Sequence, residues 1–114
     1  MIAIPLGKVA VPTHGTPVAL AALVTAAAAA QKVTLGPGGQ VAKIDVWAVV
    51  GNTGAVQVKI GGTIAAELPT PANGHAAHWS AAGQEKLNTL NPSQYAIDAS
   101  TTDTDGAYVT VWVA

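Results

Sequence analysis

The sequence predicts an all-β protein: an antiparallel β-sandwich of jelly-roll type with about eight strands. Three observations predict it. Short apolar runs alternate with turn signals built from Gly, Pro and Asn along most of the chain. Residues 41–60 and 107–114 alternate apolar and polar side chains with the period of two that a half-buried strand requires. The length, 114 residues, suits one domain with one core.

The elements follow in order. Ile2, Ile4 and Leu6 alternate, and Pro5 restricts the stretch to an edge strand or an extended N-terminal arm over residues 1–12. A single sandwich domain is expected over 13–114. Val9 to Val11 extends the first segment, and His14-Gly15 turns the chain. Residues 16–34 read in two ways. Thr16 as N-cap and Pro17 as first helical residue, followed by Leu- and Ala-rich sequence, make a helix by propensity. The alternative, favoured by the β character of everything around it, is a strand over 17–23, a loop through Ala26 to Ala30, and a short strand at 32–35.

Leu35 to Gln40, with Gly36-Pro37-Gly38-Gly39, is a turn. Residues 41–50 place Ile44, Val46 and Ala48 on one face and Lys43, Asp45 and Trp47 on the other. Gly51-Asn52-Thr53-Gly54 supplies turn residues, and 55–60 alternates Val56, Val58 and Ile60 against Gln57 and Lys59, which together predict a hairpin. Gly61-Gly62 turns into a strand at 63–68. Residues 69–83 lack a clear period and read as a long loop, and 85–90 as a short element of undetermined type. Asn91-Pro92-Ser93 turns into a last hairpin of 95–99 and 107–114, whose final strand faces Val109, Val111 and Val113 one way and Tyr108, Thr110 and Trp112 the other. Aromatic residues on that second face suggest that both faces are covered.

The composition narrows the function. Half the residues are hydrophobic and only 10% are charged, which excludes a disordered chain and suggests that other subunits cover part of the surface. Much of the apolar content is alanine, which buries little area, so Val, Ile, Leu and the three Trp must form the core. The net charge is −1 and there is no arginine, so direct nucleic-acid binding is not expected. With no cysteine there is no disulfide, thiolate metal site or cysteine nucleophile. The first ten residues lack a basic stretch before an apolar one, and 18–30 is shorter than the ~20 residues a spanning helix needs. Synthesis in the cytoplasm and no membrane contact are expected.

No catalytic constellation, cofactor site or metal site is predicted. His75 and His78 have metal-like spacing only on a helix, and the segment reads as a loop, so they are taken as loop or interface histidines. Asp103-Thr104-Asp105-Gly106 resembles a fragment of a calcium loop but lacks the closing Glu, and reads as a polar turn. The glycine-rich 36–39 turn has neither a P-loop nor a dinucleotide signature. Trp47, Trp79 and Trp112 are candidates for a sugar-stacking platform, and Trp79, in the long loop, for an interface anchor.

Three segments carry a family resemblance: Gly51-Asn52-Thr53-Gly54 between alternating strands, Leu90 to Ala99, and Asp105-Gly106 leading into a Val-rich terminal strand. With the opening His14 to Leu20, they resemble small virion proteins of tailed bacteriophages, most of all capsid cement or decoration proteins. The resemblance implies a β-sandwich or jelly roll in many copies on the capsid surface of the virion. There it would bind the major capsid protein as a homo-oligomer, a dimer or trimer at symmetry axes, and bridge neighbouring subunits. Many weak contacts in a lattice would then act together. The expected contacts are Ile2, Ile4 and Leu6 of the arm, able to add a strand to a neighbour, and His75, His78 and Trp79 of the loop. Removal of Met1 to Leu6 is expected to weaken capsid binding without unfolding the domain. A phage tail or fibre component and a carbohydrate-binding module are the competing readings.

Overall fold

A computed structural model describes residues 1–69, 76–80 and 87–114. The strands form where the alternation is strongest. They are β1 (Ile2–Ala10), β2 (Val18–Ala19), β3 (Lys43–Ala48), β4 (Val56–Ile60), β5 (Thr63–Leu68), β6 (Ala76–Ser80), β7 (Tyr95–Ala99) and β8 (Gly106–Val113). The helix α1 (Ala21–Gln31) follows β2. The strands make two four-stranded sheets, in the orders β1-β8-β3-β6 and β2-β7-β4-β5. Every pairing is antiparallel. This is the eight-stranded all-β sandwich that the alternation predicts. Its pairs nest: β1 lies against β8, β2 against β7, β3 against β6 and β4 against β5.

The two expected hairpins are not hairpins. β3 and β4 belong to different sheets, as do β7 and β8. Alternation fixes which face of a strand is buried but not its neighbour, and the connections at 49–55 and 100–105 are long enough to cross the ~10 Å between packed sheets. Among the described residues only β4 and β5 are joined as a hairpin, through Gly61-Gly62. Both glycines have positive φ, 60° and 82°, as the two-residue turn that continues a right-twisted ladder demands.

Residues 21–31 are helical, which corrects the favoured strand reading, and Thr16-Pro17 do not begin the helix. Val18-Ala19 first pair with Ile97 and Ala96 of β7, and the Leu20 N–H donates to Tyr95 O at 3.0 Å. The helix ends in a left-handed Lys32 (φ 56°), where the Lys32 N–H donates to Ala29 O and the Val33 N–H to Ala28 O. Neither end carries its usual marker, since Leu20 offers no capping side chain and Lys32 stands where glycine is common. Packing supplies what the ends lack: Leu20, Val24 and Ala28 are buried in the core. The expected loop at 69–83 contains β6, which pairs with β3 from Lys43↔Ser80 to Trp47↔Ala76.

The core is aliphatic. Ile4, Leu20, Ile44 and Ile97 are fully buried with Val46, Val58, Val109 and Val111 from both sheets. Each such side chain contributes ~1.5–3 kcal/mol by leaving water. β1 runs towards what we call the upper end, where the connections 11–17, 49–55 and 100–105 meet. The Asn52 side chain there donates to Gly106 O at 2.8 Å and accepts from the Gly106 N–H at 3.0 Å. Asp105 accepts from the backbone N–H groups of Thr53 (3.0 Å) and Gly54 (2.8 Å). α1 and the chain termini lie at the lower end. Among the described residues no buried polar side-chain atom lacks a partner.

Candidate functional site

The outward face of the first sheet gathers the chemistry. Strand alternation sends Lys43, Asp45 and Trp47 of β3 to this face, opposite the buried Ile44, Val46 and Ala48. β8 sends Tyr108, Thr110 and Trp112 there, with Val109, Val111 and Val113 inward. The register makes rows across the sheet. Trp47 faces Tyr108, Asp45 faces Thr110 and Lys43 faces Trp112. β6 places His78 beside Asp45, and β1 places Lys8 beside Tyr108.

Asp45 is the centre of this face. It is 3% exposed, a carboxylate almost withdrawn from water. Its Oδ2 accepts the Trp112 Nε1–H at 2.8 Å and its Oδ1 faces His78 Nδ1 at 3.1 Å. A carboxylate only accepts, so His78 carries its proton on Nδ1. The Lys43 ammonium lies 3.8 Å from Asp45 Oδ2 and 5.7 Å from the centroid of the Trp112 ring. His78 meets Trp47 edge-on, with ring centroids 6.4 Å apart. Tyr108 is half exposed, so its part of this second face is open to solvent.

The structure redistributes the residues expected to make contacts. Ile2 is exposed, but Ile4 is fully buried and Leu6 packs against the core. The segment is thus an edge strand paired with β8 along its length, not a free arm. Pro5 and the register shift between Pro5 and Gly7, which leaves Leu6 as an extra residue, make that edge a poor template for a neighbour's strand. β5, the edge of the other sheet, also has a register shift, opposite Val58 and Lys59. Trp79 is not a loop anchor. It sits on β6 opposite Ile44, packs against the core and meets Tyr95 of the other sheet edge-on at 5.7 Å. It therefore leaves the sugar-stacking set, while Trp47 and Trp112 share one face. His75 lies outside the described residues, and His78 is a strand residue.

The two aspartates of the 103–106 turn point to different partners. Asp105 holds the 53–54 backbone, whereas Asp103 accepts from the His14 N–H at 2.9 Å and faces its Nδ1 at 2.7 Å. The backbone bond first, and the ring second, hold the Asp103 carboxyl below the ordinary aspartate range. A second buried carboxylate, Asp98, accepts from Lys59 Nζ at 2.8 Å and from the Gly15 N–H at 3.0 Å, fastening the 12–17 connection to the second sheet. These contacts serve the fold.

The sequence displayed Lys43, Asp45 and Trp47 on one strand and Tyr108, Thr110 and Trp112 on another. It lacked a signal that β3 and β8 are neighbours or that β6 adds His78. Comparison with protein-family models, curated proteins and solved structures found no match. Among the described residues, no helix is long and apolar enough to cross a membrane.

Proposed function

We propose that the chain is a structural virion protein, a decoration protein that binds the outside of a tailed-phage head and bridges major capsid protein subunits. The observation that carries this reading is the lower end of the sandwich. Between Ala21 and Gln31 there is no charged residue, and α1 exposes Ala22, Leu23, Ala26, Ala29 and Ala30. Met1, Ile2 and Leu87 are also exposed at this end, where the Ala114 N–H donates to the Asn88 side chain at 2.9 Å. An exposed helix face of this kind, uncharged over residues 21–31 and bordered by Lys32 and the chain termini, favours close packing against another protein. Repeated over a shell, modest contacts gain strength together. The nested strand pairs are the winding expected of a jelly roll, the architecture that the phage resemblance implies. In this reading the protein sits on the capsid surface as a homo-oligomer at symmetry axes, without direct nucleic-acid or membrane contact.

Sucrose-gradient co-sedimentation with phage heads lacking the protein tests the reading. Saturable binding at a fixed ratio to the shell subunit is expected. The double variant Ile2→Lys, Leu23→Lys should bind at least tenfold more weakly while keeping its fold, because both positions are exposed. Failure of the parent protein to bind, with the chain remaining in small oligomers, would overturn the reading in favour of a tail or fibre component.

A further inference from the structure

We propose that the Asp105-Gly106 junction is a latent backbone-modification site, where an isoaspartate linkage forms when the upper end opens and is held off by the Asn52 side chain while it is closed. The proposal does not rest on the decoration reading, which uses the lower end.

Asp105-Gly106 is the one Asp-Gly pair in the sequence. The Cγ of an aspartate can be attacked by the backbone nitrogen of the next residue, and glycine leaves that nitrogen least hindered because it has no Cβ. In this step a bond forms between Gly106 N and Asp105 Cγ, and one Cγ–O bond of the carboxylic acid breaks. The oxygen leaves as water with the amide proton and the acid proton. Water then opens the five-membered imide at the former main-chain carbonyl. The backbone now runs through Cβ and Cγ and is one carbon longer. Water leaves and returns, so no other reactant is needed.

The atoms that must change partners are all engaged in the folded chain. The Gly106 N–H donates to Asn52 Oδ1 at 3.0 Å. The imide nitrogen carries no hydrogen, so ring closure abolishes that bond. Asp105 Oδ1 accepts from the Thr53 N–H at 3.0 Å and Oδ2 from the Gly54 N–H at 2.8 Å, and closure expels one of these oxygens. The carbonyl of the same peptide unit is held as well, because Asp105 O accepts the Val11 N–H at 2.9 Å. Asn52, Asp105 and Gly106 are buried, where a group that loses its partner is not readily satisfied by water. The fold therefore opposes the reaction at both the nucleophile and the leaving oxygen.

Once made, the linkage conflicts with the fold. Gly106 pairs with Ala10 at the start of β8, and a Cβ on it would collide with the backbone of Val9 and Ala10. A chain one carbon longer at position 105 must give up this pairing or the bonds to Thr53 and Gly54. The carbonyl that accepted from Val11 becomes a free carboxylate. One modification thus unfastens the 11–17 and 49–55 connections from β8 together, and turns a transient opening into a lasting one.

The purified chain, held at neutral pH for weeks either folded or in urea, tests the proposal. Isoaspartate at position 105 is read by tandem mass spectrometry in the fragment 87–114 that trypsin releases after Lys86, which excludes the Asn73-Gly74 pair and its own route to the same linkage. Conversion in the folded chain should be slower than in urea by roughly tenfold or more, because it follows the population of the open form. Folded Asn52→Ala should convert roughly tenfold faster than the folded parent. If Asn52→Ala does not fold, the parent in urea below its transition replaces it, and conversion should rise in step with hydrogen exchange at the Gly106 N–H. Equal rates in the folded and unfolded parent, a folded Asn52→Ala that converts at the parent's rate, or conversion that does not follow Gly106 exchange would overturn the proposal.

Discussion

The side-chain amide of Asn52 bonds the backbone of Gly106 at both its N–H and its C=O, across 54 positions of sequence. The amide takes the place of a strand backbone and joins the 49–55 connection to the start of β8. Gly106 leaves no room for a side chain, because a Cβ there would collide with the backbone of Val9 and Ala10.

Asn52→Ala should therefore be costly for an exposed-looking turn residue. It strips the buried Gly106 N–H of this acceptor, and a stranded group of that kind costs ~1–3 kcal/mol. Asn52→Asp, nearly the same shape, should also destabilise, since it sets a carboxylate oxygen against Gly106 O. Urea denaturation measures both, and parent-like midpoints would show that the bond pair is not holding the loops.

The first strand makes the second prediction. Ile4 is fully buried, so Ile4→Ala should cost about 2–5 kcal/mol. Deleting residues 1–6 should destabilise the domain strongly instead of merely removing an arm. Cooperative unfolding of the deletion at the parent's temperature would contradict the placement of β1.

Lys32 makes the third. A side chain in the left-handed region costs roughly 1–2 kcal/mol, and glycine does not meet that cost. Lys32→Gly should raise stability by about 0.5–1 kcal/mol after allowance for the freer unfolded chain. A lower melting temperature would mean that the helix does not end at this residue.

The fourth concerns acid. Asp103 is held below the ordinary aspartate range by the His14 backbone N–H and then by its ring. A carboxyl with a lowered folded pKa contributes stability above the unfolded value and loses it as the pH falls through the folded one. Asp103→Asn should melt below the parent near neutral pH, with the gap closing as the pH falls through the lowered folded pKa. Because both side chains are about half exposed, the gap will be small. A gap independent of pH would mean that the carboxyl is not the source.

The sequence by itself determined the most strongly alternating strands and their inward faces. Ile44, Val46 and Ala48, and likewise Val109, Val111 and Val113, are buried as their alternation requires, because a period of two places every second side chain on one side. It also marked the turn at Gly61-Gly62 and the strand after it, which the structure pairs as a hairpin. Only the tertiary structure decided the rest. Pairing is made by backbone groups that every residue carries, so nothing in residues 43–48 or 106–113 named their partners, and the aromatic face they build together was legible only in halves. The helix at 21–31 lacked end markers and depended on Leu20, Val24 and Ala28 finding the core. The strand at 76–80 lacked an alternating pattern because its aromatic residue, Trp79, turns inward beside a face carrying His78, and β3 supplies the ladder that its own residues do not announce.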